Sequence, residues 1–167
     1  MDVELKKIDS RSELYEQLRR GQSGVMLGDD DEATNEYFLM SLGDCLIGIC
    51  SQGHGIRPSV LQDSTARVAW VGYNTKLANV NISGCCINFI IQLNSVFIAI
   101  LCRMQDGSVV VIHELGAVRI SGSGALLWDV TTDVLIDFSD EGDLISLVTE
   151  EGVTKIDKES GKCINRS

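Results

Sequence analysis

The segment "GALLWDVTTDVLIDFSDEGDLISLVTEEGVTKIDKESGKCI", residues 124–164, decides the fold class of this chain. Within it, short runs of Val, Ile, Leu and Phe are separated by Glu-Gly, Glu-Glu-Gly and Glu-Ser-Gly. Apolar runs of this length, bounded by glycine-containing clusters, are typical of strands joined by tight turns. The segment is therefore predicted to be an antiparallel β-meander.

The same pattern occurs a second time in the chain. The stretch "GSVVVIHELGAVRI", which begins at Gly107, aligns with "GDLISLVTEEGVTKI", which begins at Gly142, with one extra residue in the second copy. In each copy a strand ends at a second glycine, Gly116 or Gly152, and the next strand carries a basic residue followed by isoleucine. A spacing of about 36 to 38 residues is close to that of one propeller blade.

A shorter similar segment lies upstream of the repeat, since "VNISG" at Val80 matches "VRISG" at Val118. On these residues, Gly107–Ile164 resembles the blade-like meanders of PQQ-type and WD-type repeat proteins, in which a strand, an acidic turn and a "V-x-x-[IL]-D-x-x-[ST]-G" strand recur. Here that last strand reads "VTKIDKESG", Val153–Gly161. The resemblance covers about a third of the chain, and the first 75 residues contain no copy.

The number of repeats argues against a ring. A propeller needs about four or more blades to close, whereas the sequence supplies two units and a fragment, so we reject a closed propeller. We predict instead one mainly β domain over residues 1–167, β-rich from about 24 to 164. It is expected to be a single antiparallel β-sandwich or barrel built from meanders, with about eight to twelve strands.

One helix is predicted near the N-terminus, at about residues 11–20. Ser10 suits the N-cap, and Glu13 three residues later completes a capping box. Arg19 and Arg20 suit the negative end of the helix dipole, and Gly21 suits a left-handed C′ position.

The longest apolar stretch is "GCCINFIIQLNSVFIAILCRM", Gly84–Met104, which has about the length of a membrane span. Asn94 and Ser95 interrupt it near its middle, and polar residues at the centre of a bilayer are costly. Two buried strands with a short connection are therefore predicted here. Asp106-Gly107, between apolar runs, predicts a further hairpin.

The charge excludes several kinds of partner. The chain has a net charge of −10 and a sequence pI near 4.5. Such a surface repels phosphate backbones and anionic lipid surfaces, so neither nucleic acid nor membrane is an expected partner. A basic protein partner is compatible with this charge, although many acidic proteins are acidic only for solubility.

The six cysteines are expected to be reduced thiols. Four lie in apolar runs, where cysteine behaves as a small hydrophobe, and the N-terminal "MDVELKKIDS" lacks the apolar core of a signal peptide. A cytoplasmic location is predicted on this basis. No cofactor is expected, and no zinc-ligand spacing is present. The acidic run Asp29–Glu32 is interpreted as a solvated turn, because consecutive carboxylates diverge rather than converge on one cation.

Two groups of residues are candidate binding sites. His54 and Arg57 lie in the loop "SQGHGIRPSV", where glycines flank the histidine, and together they could bind a carboxylate or a phosphate. Asp129, Asp133 and Asp137 recur every four residues and predict a negative stripe that could meet a basic protein surface. The adjacent His113 and Glu114 point to opposite sides of a strand, so His113 is interpreted as a hydrogen-bonded structural residue.

No nucleophile, phosphate-binding or dinucleotide-binding motif is present, and the protein is predicted not to be an enzyme. The leading hypothesis is a small acidic intracellular protein-binding module, either similar to immunity or antitoxin proteins or acting as an adaptor. Tyr37, Phe38 and Trp70 are candidate anchors for the partner if they are exposed. The alternative is a small-ligand-binding or hydrolytic protein that uses His54 and Arg57. The oligomeric state is left open.

Overall fold

The computed structural model describes residues 3–21, 23–28 and 34–166. The described chain is mainly β, with 60% of residues in strands and one helix, which confirms the predicted class. It divides into two compact units, residues 1–92 and residues 93–167. The expectation of a single domain stays a prediction.

The first unit contains one helix and two four-stranded sheets. Its elements are β1 Val3–Ile8, α1 Arg11–Arg20, β2 Ser23–Leu27, β3 Glu36–Leu42, β4 Cys45–Ser51, β5 Ser59–Asp63, β6 Val68–Tyr73, β7 Lys76–Asn81 and β8 Cys86–Gln92. The first sheet has the order β1-β3-β4-β2, and the second has the order β5-β6-β7-β8. All neighbours are antiparallel except β2 and β4, which are parallel.

The second unit contains two further four-stranded sheets. Its elements are β9 Phe97–Arg103, β10 Val109–His113, β11 Gly116–Ile120, β12 Leu126–Thr131, β13 Leu135–Glu141, β14 Leu144–Thr149, β15 Gly152–Asp157 and β16 Cys163–Arg166. The sheet orders are β12-β11-β10-β9 and β13-β14-β15-β16, so each strand pairs with the next one along the chain. All of these pairs are antiparallel.

The sixteen described strands exceed the eight to twelve that were predicted. One of the additional strands, β7, follows a turn without glycine. Tyr73 and Lys76 are directly paired across a two-residue turn, in which Asn74 takes the left-handed conformation with φ 48°. Asparagine tolerates this conformation because its short polar side chain forms local hydrogen bonds.

The two aligned repeats occupy equivalent positions. Each forms the second and third strands of its sheet, β10–β11 in one case and β14–β15 in the other. Their leading glycines, Gly107 and Gly142, have φ of 82° and 79°, and Gly116 and Gly152 have φ of 143° and 137°. Residues with a Cβ atom rarely adopt these values, so the matching glycines mark matching hairpins.

The described residues form four sheets of four strands, and none of these sheets closes on itself. The fold is therefore a multi-sheet β fold. The first sheet differs from the other three because α1 separates β1 from β2, and β2 then joins the far edge of the sheet in parallel.

The helix has the predicted bounds, Arg11–Arg20. The Glu13 backbone N–H donates to Ser10 Oγ at 3.2 Å, as expected of an N-cap. The left-handed conformation predicted for Gly21 is wrong: its φ of −70° and ψ of 153° are extended, and its N–H donates to Gln17 O. A side chain at Gly21 would meet Leu46 Cδ1 at 2.5 Å, so close packing accounts for the glycine instead.

Each unit has its own apolar core. In the first unit, buried residues of the first sheet, such as Phe38 and Ile47, share a cluster with residues of the second sheet, such as Val71 and Val80. In the second unit, Val110 and Ile112 of β10 cluster with residues of the neighbouring sheet, including Ile145. These strands are buried on both faces, which explains their continuous rather than alternating hydrophobicity.

The predicted strand pair in Gly84–Met104 is present as β8 and β9. Among the described residues, the only helix is the ten-residue α1, and no helix has the length and hydrophobicity needed to span a membrane.

One cysteine pair differs from the expectation of reduced thiols. Cys45 of β4 and Cys85, in the turn between β7 and β8, form a disulfide with a Cα–Cα distance of 5.2 Å. The bond links the two sheets of the first unit and closes a loop with a sequence separation of 40. Cys86, the exposed neighbour of the bonded pair, lies outside this disulfide.

We expect loss of this disulfide to destabilise the first unit. Chain entropy for a loop of this length predicts a decrease in the free energy of unfolding of roughly 4 kcal/mol. The measurement is urea denaturation of Cys45→Ser. Unfolding is monitored by tryptophan fluorescence, because Trp70 lies in this unit. Cys86→Ser, which removes an exposed free thiol, is the matched control. Equal stability of the two variants would contradict this prediction.

Candidate functional site

A polar groove in the second unit is the best candidate site. Its volume is about 450 Å³. It lies between the segment that follows β12 and the turn that joins β14 to β15. Its lining consists mostly of threonines and acidic residues: Thr131, Thr132, Asp133, Thr149, Glu151, Gly152, Val153 and Thr154.

Backbone hydrogen bonds hold one wall of the groove in place. The Thr132 N–H donates to Leu115 O at 2.8 Å, and the Leu135 N–H donates to Glu114 O at 2.8 Å. Both acceptors lie in the turn between β10 and β11, so the connection that carries Asp133 is fixed at both of its ends.

The opposite wall is a tight turn. Thr149 and Gly152 are directly paired, and they leave Glu150 and Glu151 as the two exposed turn residues. The Thr149 hydroxyl donates to Gly152 O at 3.3 Å. The acidic turn is thus presented at the rim of the groove by a hairpin whose geometry depends on Gly152.

The groove is negatively charged. Among the residues whose side chains the structure describes, its lining contains two carboxylates, Asp133 and Glu151, and no Lys, Arg or His. Neither carboxylate has a side-chain partner among the described residues. The basic residue of β15, Lys155, donates to Glu141 Oε2 at 2.7 Å and is therefore engaged elsewhere. The charge of the groove is left for a ligand or for solvent to neutralise.

The predicted acidic stripe is not one site. Asp133 lines the groove, whereas Asp129 accepts a hydrogen bond from Asn94 Nδ2 at 2.6 Å. Asp137 accepts from the N–H of the following residue, Phe138, at 2.8 Å. A connecting segment interrupts the strand between Thr131 and Leu135, so spacing by four does not place the three carboxylates on one strand face.

His113 forms a buried polar cluster beneath β12. The residue is 1% exposed, its Nδ1 lies at hydrogen-bond distance, 2.8 Å, from Ser95 Oγ, and its Nε2 lies 3.9 Å from Asp129 Oδ1. Ser95 Oγ also accepts the Leu115 N–H at 3.0 Å. Burial lowers the pKa of His113, with the nearby Asp129 carboxylate opposing the shift. These contacts agree with the interpretation of His113 as a hydrogen-bonded structural residue.

Arg119 forms the second buried polar cluster. Its guanidinium is 4% exposed and donates to Asp106 Oδ2 at 2.9 Å and to Glu159 O at 2.5 Å. Its Nε–H donates to Ser108 Oγ at 2.8 Å. The hydrogen bonds from Ser108, with a further contribution from Arg119, lower the pKa of Asp106. Arg119 occupies the basic position that both sequence repeats contain. Its hydrogen bonds connect the two sheets of the second unit.

The loop around His54 and Arg57 is exposed, and Gly53 and Gly55 have φ of 68° and 81°. His54 Nε2 lies 3.1 Å from Gln52 Oε1. The nearest cysteine in sequence, Cys50, is fully buried in a cluster with Leu14 and the end of β1. The loop stays a candidate binding site, with no thiol accessible beside the imidazole.

Other candidate residues differ in accessibility. Phe38 and Trp70 are 2% and 1% exposed, and Trp70 packs edge-on against Phe89 with a centroid distance of 5.6 Å. Neither can anchor a partner in this conformation, and Tyr37 is only partly exposed. The acidic run at 29–32 lies outside the described residues.

The sequence pattern indicates only one residue of the groove as a candidate, Asp133, through its spacing. It indicates Glu151 and the four threonines only as turn and strand residues. Two threonine-rich strand ends, "VTTD" at 130–133 and "VTEEGVT" at 148–154, are the sequence signal for the groove. Strand ends of neighbouring sheets can lie side by side, as these two do.

Four open four-stranded sheets with repeated hairpins define a multi-sheet β fold. This fold is similar to the crystal structure of BamB from Moraxella catarrhalis, a β-propeller-like repeat protein, with a TM-score of 0.55 and 14% identity. The match covers 96% of this chain and 50% of that chain, so the chain spans about half the length of BamB. At this identity the likeness shows the fold alone.

A protein from Bacteroides caccae matches with a TM-score of 0.43 and 17% identity, over 86% of this chain and 59% of that one. No family model matches the chain, and no curated protein matches it.

We expect the stability of the second unit to depend on pH through His113. Its pKa in the folded state lies below the ordinary 6.5, so the unfolded state binds more protons between these two values. The free energy of unfolding should therefore rise with pH through this window and fall as the pH drops below about 7.

The measurement is thermal unfolding from pH 5 to pH 8 of the wild type, His113→Asn and His54→Gln. The chain has only these two histidines, so His54→Gln is the matched control and should keep the slope. An unchanged slope in His113→Asn would show that another group is responsible.

Proposed function

We propose that this protein is a non-catalytic binding module that recognises a protein partner through the acidic surface of its second unit. The observation that carries the proposal is the groove, whose lining contains two carboxylates, Asp133 and Glu151, and no basic residue among those whose side chains the structure describes. Residues 93–167 contain six Lys and Arg against twelve Asp and Glu. A basic partner surface complements this charge. An immunity-like protein or an adaptor of a larger assembly would both fit this description.

The buried polar clusters of the second unit support a structural scaffold rather than a catalytic centre. The His113 imidazole lies between the side chains of Ser95 and Asp129. It is only 1% exposed, however, and Ser95 Oγ already accepts a backbone N–H. A serine nucleophile needs an accessible hydroxyl and oxyanion-binding donors beside it. We therefore keep the proposal that the protein is not an enzyme.

A second candidate function uses His54 and Arg57. Both side chains are exposed on one short loop, and Asn74 anchors the start of this loop by accepting the Gln52 N–H at 2.9 Å. An anchored loop with an imidazole and a guanidinium could bind a small anion. Isothermal titration with phosphate and with acetate, repeated on Arg57→Gln, distinguishes this function from the binding module.

The finer architecture that we propose is a series of blade-type repeats. Three of the four sheets are built from four consecutive strands in chain order, as a propeller blade is. The likeness to BamB, at a TM-score of 0.55, supports this arrangement over a single sandwich or barrel. The sequence pattern contains two units and a fragment, which are too few to close a propeller. Four sheets reach the number of blades that closure needs.

The disulfide also indicates a cellular compartment. Disulfides persist in oxidising environments and are rare in the cytosol, so the Cys45–Cys85 bond favours an oxidising compartment over the cytoplasmic location predicted from the N-terminus. The redox state of Cys45 and Cys85 in the native cell, measured by differential alkylation, tests this proposal. Fully reduced thiols would restore the cytoplasmic prediction.

We expect association with the partner to depend on salt. The acidic charges speed the encounter more than they strengthen the complex, and the screening length decreases from ~30 Å at 0.01 M salt to ~8 Å at 0.15 M. The association rate should therefore decrease steeply over this range, while the dissociation rate changes much less.

The experiment is affinity capture from the native cell, followed by binding kinetics with the purified partner at the two salt concentrations. A specific partner whose association rate ignores salt would remove the electrostatic part of the proposal. Capture of no protein, together with anion binding at the His54 loop, would overturn the binding-module proposal.

A further inference from the structure

We propose that four side chains of the second unit form a pH-sensitive switch: Asn94, Ser95, His113 and Asp129. Protonation of His113 draws the Asp129 carboxylate away from the Asn94 amide and towards the imidazolium. One negative charge of the acidic surface is then compensated from within the protein. This inference rests on the proposed function and names how that acidic surface is regulated.

The imidazole of His113 is enclosed in the second unit. It is 1% exposed, and its strand, β10, lies between β9 and β11. Its Nδ1 lies 2.8 Å from Ser95 Oγ, and the Leu115 N–H donates to the same oxygen at 3.0 Å. A neutral imidazole has one N–H donor, whereas the protonated ring is a donor at both nitrogens. Proton uptake therefore requires an acceptor on each side of the ring.

Each side of the ring faces an acceptor. On the Nδ1 side, the two lone pairs of Ser95 Oγ can accept from the Leu115 N–H and from the imidazolium together. On the Nε2 side, Asp129 Oδ1 lies at 3.9 Å, which is within ion-pair distance but too long for a hydrogen bond. The Nδ1 contact already has hydrogen-bond length, so a positive charge on the ring acts mainly on the longer contact, to Asp129.

The Asp129 carboxylate is placed between two partners. Asn94 Nδ2 donates to its Oδ2 at 2.6 Å, while its Oδ1 faces His113. Asn94 is an exposed residue of the segment before β9. An imidazolium attracts a carboxylate more strongly than a neutral amide does, because both partners then carry charge. Protonation of His113 therefore shifts the carboxylate from Asn94 towards the ring.

Asp129 supplies the charge beside the ring in the described part of the second unit. The other elements that surround His113 there contribute neighbours that are uncharged: Asn94, Ser95, Phe97 and Gly116. Glu114 follows His113 in the chain, and successive side chains of a strand point to opposite faces. Among these neighbours, the imidazolium is therefore paired with Asp129.

The direction of the pH dependence follows from this pairing. Burial lowers the pKa of His113, and the Asp129 carboxylate opposes the shift. Above this pKa the ring is neutral, and Asp129, whose side chain is 25% exposed, keeps its negative charge at the surface. Below it, the ion pair is neutral as a whole. A basic partner should therefore associate more slowly as the pH falls through the pKa of His113.

The measurement is NMR spectroscopy of the ¹⁵N- and ¹³C-labelled full chain between pH 8 and pH 5. The ring signals of His113 report its protonation, and the side-chain amide signals of Asn94 report its hydrogen bond to Asp129. We expect both sets of signals to shift with one shared midpoint, below the ordinary 6.5 of histidine. Asn94 amide signals that do not follow the His113 midpoint would overturn the inference.

Two variants test the role of the carboxylate. Asp129→Asn removes the charge that favours the imidazolium, so the His113 midpoint should move to lower pH and the shared Asn94 shift should be lost. Asp133→Asn removes the next carboxylate of the same acidic segment and is the matched control, which should keep the wild-type midpoint. Thermal unfolding checks that both variants keep their fold. An unchanged His113 midpoint in Asp129→Asn would contradict the switch.

The outcomes separate this inference from the proposed function. A shared midpoint of His113 and Asn94, without any protein partner in the cell, would support the switch and contradict the proposed function. A basic partner whose association depends on salt, but depends on pH equally with the wild type and with Asp129→Asn, would overturn the inference and leave the proposed function intact.

Discussion

Tight turns in which glycine has a positive φ are the constraint on which the rest of the second unit depends. Gly107, Gly116, Gly142 and Gly152 reverse the chain so that each strand pairs with its sequence neighbour. A Cβ atom at Gly116 would lie 2.0 Å from Val130 O, so this turn leaves no room for a side chain. Sheet order follows from these turns, and sheet order decides which strands are buried on both faces. One wall of the groove depends on the same constraint, because it is the β14–β15 turn at Gly152.

Charged and polar residues divide into two populations in the second unit. Arg119 and His113 are buried and hydrogen-bonded to defined partners, and Arg119 adds a polar link between two sheets that the apolar core already joins. Buried polar groups of this kind are costly unless they are fully hydrogen-bonded, and they then specify one arrangement. The exposed carboxylates at the groove, Asp133 and Glu151, have no side-chain partner among the described residues.

The disulfide and the apolar core act on the same pair of sheets in the first unit. The buried cluster that contains Phe38 and Val71 already holds the two sheets together. The Cys45–Cys85 bond adds a covalent link at the edge of this cluster. Its stabilising effect comes mainly from restricting the unfolded chain, so the native contacts do not reveal it. The redox state of the environment consequently becomes a determinant of the stability of this unit.

The sequence by itself determined the fold class, the bounds of α1, the hairpin at Asp106-Gly107 and the equivalence of two repeats. These features depend on local chemistry: capping groups, glycine turns and runs of strand-forming residues act over a few positions. It did not determine the number of sheets, because sheet membership depends on pairings between distant strands, such as that of β2 with β4 in the sheet that also contains β1 and β3. Only the tertiary structure brought Asp133 and Glu151 together, paired Cys45 with Cys85, and buried Phe38 and Trp70. Each of these depends on contacts between residues far apart in the chain, which are set by how sheets pack rather than by the spacing of residues along it.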